Sequence, residues 1–363
     1  MKPHQIPSMP LKPLERISPS RYLSMRNCVL REVWAANSQV PALLPTHPSA
    51  RVGSVIHKLL ELAGQGLIND EQTMQEYWRQ QIFQVENQMS DNWLERHMVP
   101  LSKNTRNFQV KQQLYFLMIR NLLGHRSQQV SSHSSKYEVW VETKDKKVAG
   151  RVDAIRCIPE GVQIIDYKSG SVTEQDSGSD IVKQDYQQQL KLYAAIYQEA
   201  HGTWPVKLTV VGLDQYEYDI KFDIEECREL LNTAKIELDL VNSQVLQGIP
   251  QDGMAKPSPE ACKYCIYRPG CNRYWQVRQV RQDTDAWPID IYGVVKDKKL
   301  LGNGLYSLRL NSRHGEINIR GLDLNRNRYL QDETLMGIRF YNLSKDKVPG
   351  YFYANMYTIG YLD

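Results

Sequence analysis

Three short runs between residues 136 and 170, "KYEVWVET", "KKVAGRVDAIRCI" and "GVQIIDYKSG", interrupt a chain that reads as helical on either side. Each is rich in β-branched and aromatic residues and is bounded by turn formers, which is the signature of a strand. They read as three strands of one sheet, paired as a meander. "DYQQQLKLYAAIYQEAHG" follows as a helix ending at Gly202, then "PVKLTVVGL" and "YEYDIKFD" as two more strands. The long amphipathic helix "IEECRELLNTAKIELDLVNSQVLQG" closes the series. Helices, three strands, helix, two strands, helix is an α/β order with a helical insertion ahead of the sheet.

Upstream, the first 20 residues are Pro-rich and read as irregular. "SPSRYLSMRNCVLREVW" reads as one helix capped by Ser18 or Ser20. "RVGSVIHKLLELAGQG" has helical spacing and stops at Gly64 or Gly66. Residues 70 to about 125 read as two or three helical pieces broken at Pro100. After about residue 285 short strands and turns take over, predicting a small C-terminal all-β domain, with a barrel as one form it could take. The expected division is residues 1–280, with the helical insertion at about 70–130, and residues 285–363.

Composition narrows the class. The chain has 363 residues, 41% hydrophobic and 24% charged, which suits a globular protein with a real core. A net charge of +4 agrees with a nucleic-acid partner without requiring one. No stretch approaches the roughly 18 apolar residues of a membrane span. The start lacks the apolar run of a secretory signal, so a cytoplasmic, reducing setting is expected. There, six cysteines read as free thiols or cluster ligands rather than disulfides.

Chemistry gathers at the end of the third run. Residues two apart in a strand share a face, so Asp166 and Lys168 project together. If the neighbouring strand pairs as a meander, Asp153 of "GRVDAI" comes beside Asp166. A solvated charge pair at a strand end is one reading. A hard-oxygen site for Mg²⁺ or Mn²⁺ is the other, with the lysine acting on the attacking water or the transition state.

"GRVDAIRCIPEGVQIIDYKSG" resembles the core of the RecB-like branch of the PD-(D/E)XK nucleases. The branch has a Gly-x-x-Asp strand, an (Asp/Glu)-x-Lys strand, a helix with Gln-x-x-x-Tyr, and an upstream helix with Gly-x-x-x-His. Here these are Gly150 to Asp153, Asp166 to Lys168, Gln189 to Tyr193, and Gly53 to His57. Val152 stands where the superfamily's name has Pro, as is usual in the branch. The resemblance implies a restriction-endonuclease-like core, a mixed sheet flanked by helices, and a metal-dependent deoxyribonuclease. His57, Asp153, Asp166 and the Tyr167 carbonyl would hold the metal. Lys168 would be catalytic, and Gln189 and Tyr193 would contact DNA or orient Lys168. Glu138 or Glu142 could add a further carboxylate. Exonuclease action on single strands or ends is expected, in repair, recombination or antiviral defence. The alternative is a non-catalytic DNA-binding or adaptor subunit of a helicase or defence complex. No helicase P-loop occurs, so any unwinding must come from a protein partner.

"CKYCIYRPGC" holds Cys262, Cys265 and Cys271, and Cys28 lies near the other end of the domain. A thioredoxin-like motif, zinc and a [4Fe–4S] cluster all use such cysteines. The resemblance to iron–sulfur members of the branch implies the cluster, with zinc as the alternative. Cys157 and Cys227 read as buried fillers. Lys103, Arg106, Lys111, Arg120 and Arg126 lie on helical sequence that could follow a DNA strand. The aromatic C-terminal segment could stack single-stranded bases or dock a protein.

Overall fold

The computed structural model describes residues 3–128, 135–176, 179–280, 286–313, 315–332 and 336–363. Its centre is a five-stranded sheet in the order β1-β2-β3-β6-β7. The strands are β1 (Ser135–Glu142), β2 (Ala149–Ile158), β3 (Gly161–Lys168), β6 (Lys207–Gly212) and β7 (Glu217–Asp219). β1, β2 and β3 form the expected antiparallel meander. β3 and β6 run parallel, and helix α7 (Gln184–His201) makes the crossover between them. A short hairpin precedes that helix, β4 (Thr173–Asp176) with β5 (Ser179–Val182), which the sequence reading passes over because its four-residue strands carry little pattern.

Two hydrophobic cores flank the sheet. Ile164 of β3 and Val210 of β6 join a core with α1 (Pro19–Asn27), α2 (Val29–Ala36), α7 and α8 (Ile224–Leu246). Ile165 and Tyr167 of β3 join the other, with α3 (Pro48–Gly64), α4 (Glu71–Asp91), α5 (Leu101–Asn104) and α6 (Phe108–Gln128). Consecutive residues of β3 thus feed opposite cores, so nearly the whole strand is buried. This is a mixed α/β sheet flanked by helices, consistent with the restriction-endonuclease-like fold.

The single helix expected from residue 18 is two. Cys28 is extended, with φ −160° and ψ 108°, and ends α1 while capping α2. That one non-helical residue turns the chain so that Cys28 faces the distant cysteine loop.

The last strands form a separate seven-stranded sheet in the order β12-β13-β10-β9-β8-β11-β14. They are β8 (Ile291–Leu300), β9 (Tyr306–Ser312), β10 (Gly315–Leu322), β11 (Gly337–Tyr341), β12 (Ser344–Lys345), β13 (Tyr351–Tyr353) and β14 (Ile359–Leu362). The outer strands β12 and β14 are not hydrogen-bonded to one another among the described residues, so the sheet is open. It does not stand apart from the first unit. Trp287, Tyr341, Ile359 and Tyr361 lie in the α1/α2/α7/α8 core, and Met356 and Tyr357 pack against the helical one. His4 Nδ1 and the Gly360 carbonyl lie 2.8 Å apart, tying the two ends of the chain together.

Candidate active site

The β2–β3 ladder sets the geometry. Its rungs run from Ile158–Gly161 to Ala154–Ile165, and the next rung would oppose Asp153 to Asp166. That rung is not made. Instead the Asp153 carboxylate enters the ladder, and the Tyr167 N–H donates to its Oδ2 at 2.7 Å. The two carboxylates are thereby held side by side at the carboxyl end of β3.

On the other side of Asp166 stands α7. Gln189 Nε2 donates to Asp166 Oδ1 at 2.8 Å, and Lys168 Nζ donates to Gln189 Oε1 at 3.0 Å. Both ends of the amide are used, which fixes its orientation. Lys168 Nζ also lies 2.8 Å from Asp166 Oδ2, with the two side chains 17% and 7% exposed. The contact is a close ion pair and no other partner reaches this buried oxygen among the described residues, so an incoming cation would compete only with Lys168 for it. Tyr193, one turn beyond Gln189, donates its hydroxyl to the Arg151 carbonyl at 2.8 Å. A Cβ on Gly150 would stand 2.9 Å from that hydroxyl, so the glycine of the Gly-x-x-Asp strand is the space in which Tyr193 sits.

α3 closes the site from the opposite core. A Cβ on Gly53 would meet Ser169 Oγ at 2.9 Å, so glycine lets the helix pass close to the end of β3. One turn later His57 Nδ1 lies 3.8 Å from Asp153 Oδ2. His57, Asp153, Asp166, Lys168, Gln189 and Tyr193 are therefore one cluster, drawn from α3, β2, β3 and α7.

The charges in this cluster are strained. Burial and the Asp166 charge hold the Asp153 carboxyl well above its ordinary range, against the Tyr167 N–H and Lys168, which oppose the shift. Burial lowers the His57 pKa, with Lys168 adding to that and Asp166 opposing it, so the ring is neutral near pH 7 with a lone pair to give. Two crowded carboxylates, a neutral imidazole and an open carboxylate oxygen are the donor chemistry of a divalent cation. The residues fit such an ion by their chemistry; as placed, no three His, Cys, Asp or Glu side chains among the described residues, here or among the cysteines, stand together closely enough to hold a metal ion.

A scan against protein-family models matches residues 16–272 to the PD-(D/E)XK nuclease superfamily. The chain belongs to the PD-(D/E)XK nuclease superfamily. A search of curated proteins finds no match. The match covers the whole central sheet and its two helical flanks and stops before the C-terminal sheet. Nucleases of this superfamily are metal-dependent and typically use Mg²⁺ or Mn²⁺.

The four cysteines of this PD-(D/E)XK chain line one small cavity together with Trp34, Arg268 and Tyr274. Burial is the main cause that pushes the thiols of Cys262 and Cys271 up to about 12 and that of Cys265 up to about 11, with repulsion from neighbouring cysteines adding to it. Arg268 spans this loop. It donates to the Cys262 carbonyl at 3.2 Å and to Asp290 Oδ2 at 2.6 Å, in an ion pair whose side chains are 2% and 0% exposed. The cysteine loop is thus pinned to the start of the C-terminal sheet. Cys227 is buried, as expected of a filler, but Cys157 is exposed near the end of β2.

The basic helical residues differ in exposure and pairing. Lys103 and Arg106 are exposed, Lys111 is half-buried, and Arg120 is held by Glu71 in two contacts of 2.8 and 2.9 Å. The side chain of Arg126 lies outside the described residues.

Between the two acidic alternatives the geometry separates roles. Glu142 lies at the surface with Arg16. Glu138 adds its charge to Asp153, and its own pKa is raised by burial and by Glu61, with Arg151 and Lys58 opposing. Glu138 has φ +50°, and its neighbours Tyr137 and Val139 pack into different cores. A strict two-residue alternation cannot anticipate that turn of the backbone. Glu61, four residues after His57 on α3, was also missed; the i, i+4 spacing is the signal that could have found it.

Proposed function

We propose that this chain is a RecB-like, metal-dependent deoxyribonuclease that hydrolyses phosphodiester bonds on single-stranded DNA or DNA ends. The observation that carries this reading is the single network joining Asp153, Asp166, Lys168 and Gln189, with His57 3.8 Å from Asp153. His57, Asp153, Asp166 and the Tyr167 carbonyl would hold Mg²⁺ or Mn²⁺. Such an ion lowers the pKa of a bound water and neutralises charge on the phosphate. Gln189 keeps Asp166 and Lys168 in register, and the Lys168 ammonium is the donor for the developing charge on phosphate oxygen. Tyr193 holds the strand that carries Asp153. Glu138 adds negative potential beside Asp153. Exposed Lys103 and Arg106 would meet the DNA backbone.

The cavity shared by Cys28, Cys262, Cys265 and Cys271 supports a [4Fe–4S] cluster, with zinc as the competing occupant. Buried thiols with raised pKa values need a cation to become thiolates, and a cluster would tie α1 and α2 to the loop after α8. This sequence carries no ATP-binding loop, so any unwinding of duplex DNA would come from a protein partner, such as a helicase or a defence complex.

The test is cleavage of end-labelled single- and double-stranded DNA with Mn²⁺, Mg²⁺ or EDTA, comparing wild type with Lys168→Ala. Cation-dependent cleavage lost in the variant is expected. Equal cleavage by both proteins would overturn the assignment, and DNA binding with no cleavage by either would favour a non-catalytic subunit.

A further inference from the structure

The Lys168 ammonium is held on a third side that no sequence motif specifies. Its Nζ lies 4.6 Å from the ring centroid of Tyr186, besides Asp166 Oδ2 at 2.8 Å and Gln189 Oε1 at 3.0 Å. Tyr186 stands three residues before Gln189 on α7, so the two project from the same helix face. An aromatic face carries the negative part of the ring quadrupole and attracts an ammonium, more strongly where water is excluded. Lys168 meets that condition, since its side chain is 17% exposed. Lys183 approaches the same ring at 5.6 Å, but its ammonium also donates to the Ser171 carbonyl at 2.8 Å.

The three partners differ in one respect. Asp166 is an anion that a divalent cation would claim, and it then holds Lys168 less tightly. Gln189 is also bound to Asp166 and moves with it. The Tyr186 ring is neutral and makes no contact with either carboxylate among the described bonds, so it attracts an ammonium without competing for a metal ion.

We propose that Tyr186 is a positioning residue for the nuclease reaction, its ring face keeping Lys168 beside the carboxylates whether or not Asp166 is engaged by a cation. This rests on the proposed role of Lys168. The expected behaviour follows from the ring face rather than the hydroxyl. Tyr186→Leu, which keeps bulk but removes the π face, should lower kcat about 5- to 20-fold with KM and DNA affinity unchanged. Tyr186→Phe should restore most of the rate.

A second readout needs no metal and no turnover. In EDTA, the rate at which Lys168 reacts with an amine-directed reagent, followed by mass spectrometry, should rise severalfold in Tyr186→Leu and not in Tyr186→Phe, with the rest of the lysines as internal standards. The two levels of inference fail separately. Full activity in Lys168→Met would sink the role of the lysine. An inactive Lys168→Met beside a Tyr186→Leu with wild-type kcat and wild-type labelling would sink the role of Tyr186 alone. If the leucine variant does not fold, Tyr186→Trp decides: its retained π face should preserve slow labelling, and fast labelling there overturns the proposal.

Discussion

Replacing Asp153 by Asn should stabilise the cation-free protein and remove its response to metal. The Asp153 carboxylate sits on the N–H of Tyr167, the residue after Asp166, and neighbouring cross-strand side chains of this kind lie about 5 Å apart. Two unit charges at about that distance repel by about 3 kcal/mol at an effective dielectric near 20. Lys168, 2.8 Å from Asp166, offsets much of this. The amide oxygen of Asn can still accept the Tyr167 N–H, so that hydrogen bond is kept. The net gain should be about 1–2 kcal/mol, a rise in Tm of about 1–3 °C for a chain of this size.

The sign with pH follows from the raised Asp153 pKa. The folded protein holds this proton more tightly than the unfolded chain, whose carboxyl keeps the ordinary value of 3.8. Wild type and variant should therefore be equally stable below that value. The deficit of wild type should open as pH rises above it and be complete once pH passes the raised folded pKa. Thermal unfolding in EDTA across this range measures the gap directly. Cation at about 100 times its Kd should then add about 2.7 kcal/mol to wild type and little to the variant, closing or reversing the order. An Asn variant that is less stable than wild type in EDTA near neutral pH, or that gains equally from the cation, would refute the reasoning.

Three further outcomes are expected. Gln189→Leu removes the contacts to both Asp166 and Lys168, and should lower kcat by about 10- to 100-fold with unchanged affinity for DNA measured in EDTA. Arg268→Met strands the buried Asp290 charge and should cost about 3–5 kcal/mol in urea unfolding, whereas the double change with Asp290→Leu should recover much of it. Gly150→Ala forces the Tyr193 hydroxyl away from the Arg151 carbonyl; activity should fall about 10-fold or more while far-ultraviolet circular dichroism is unchanged.

The meander was legible because its three strands are short, separated by turns and different in composition from the flanking helices. Asp153 beside Asp166 was legible on the condition that their strands pair as a meander, which they do, whereas Gln189 and Tyr193 were named only by the resemblance to the RecB-like branch. Cys28 was legible as a candidate but not as a helix break, because nothing in "SMRNCVLRE" carries Pro or Gly to mark one. The β4–β5 hairpin and the turn at Glu138 left no pattern long enough to read. Nor did the sequence forecast how far the C-terminal sheet enters the first unit's core through Trp287, Tyr341 and Tyr361.

By itself, then, the sequence offered Asp153, Asp166 and Lys168 through strand periodicity, and His57, Gln189 and Tyr193 through motif resemblance, since both are properties of short local stretches. Tertiary structure alone decided how those groups are wired. It brought α3 and α7 from opposite cores to one strand end, put the Glu138 charge near Asp153 while Glu142 pairs with Arg16, and set Tyr186 against Lys168. It also gathered four cysteines from the two ends of the domain around one cavity. These are contacts between segments far apart in the chain, and they exist only once packing of the two cores has fixed where each segment lies.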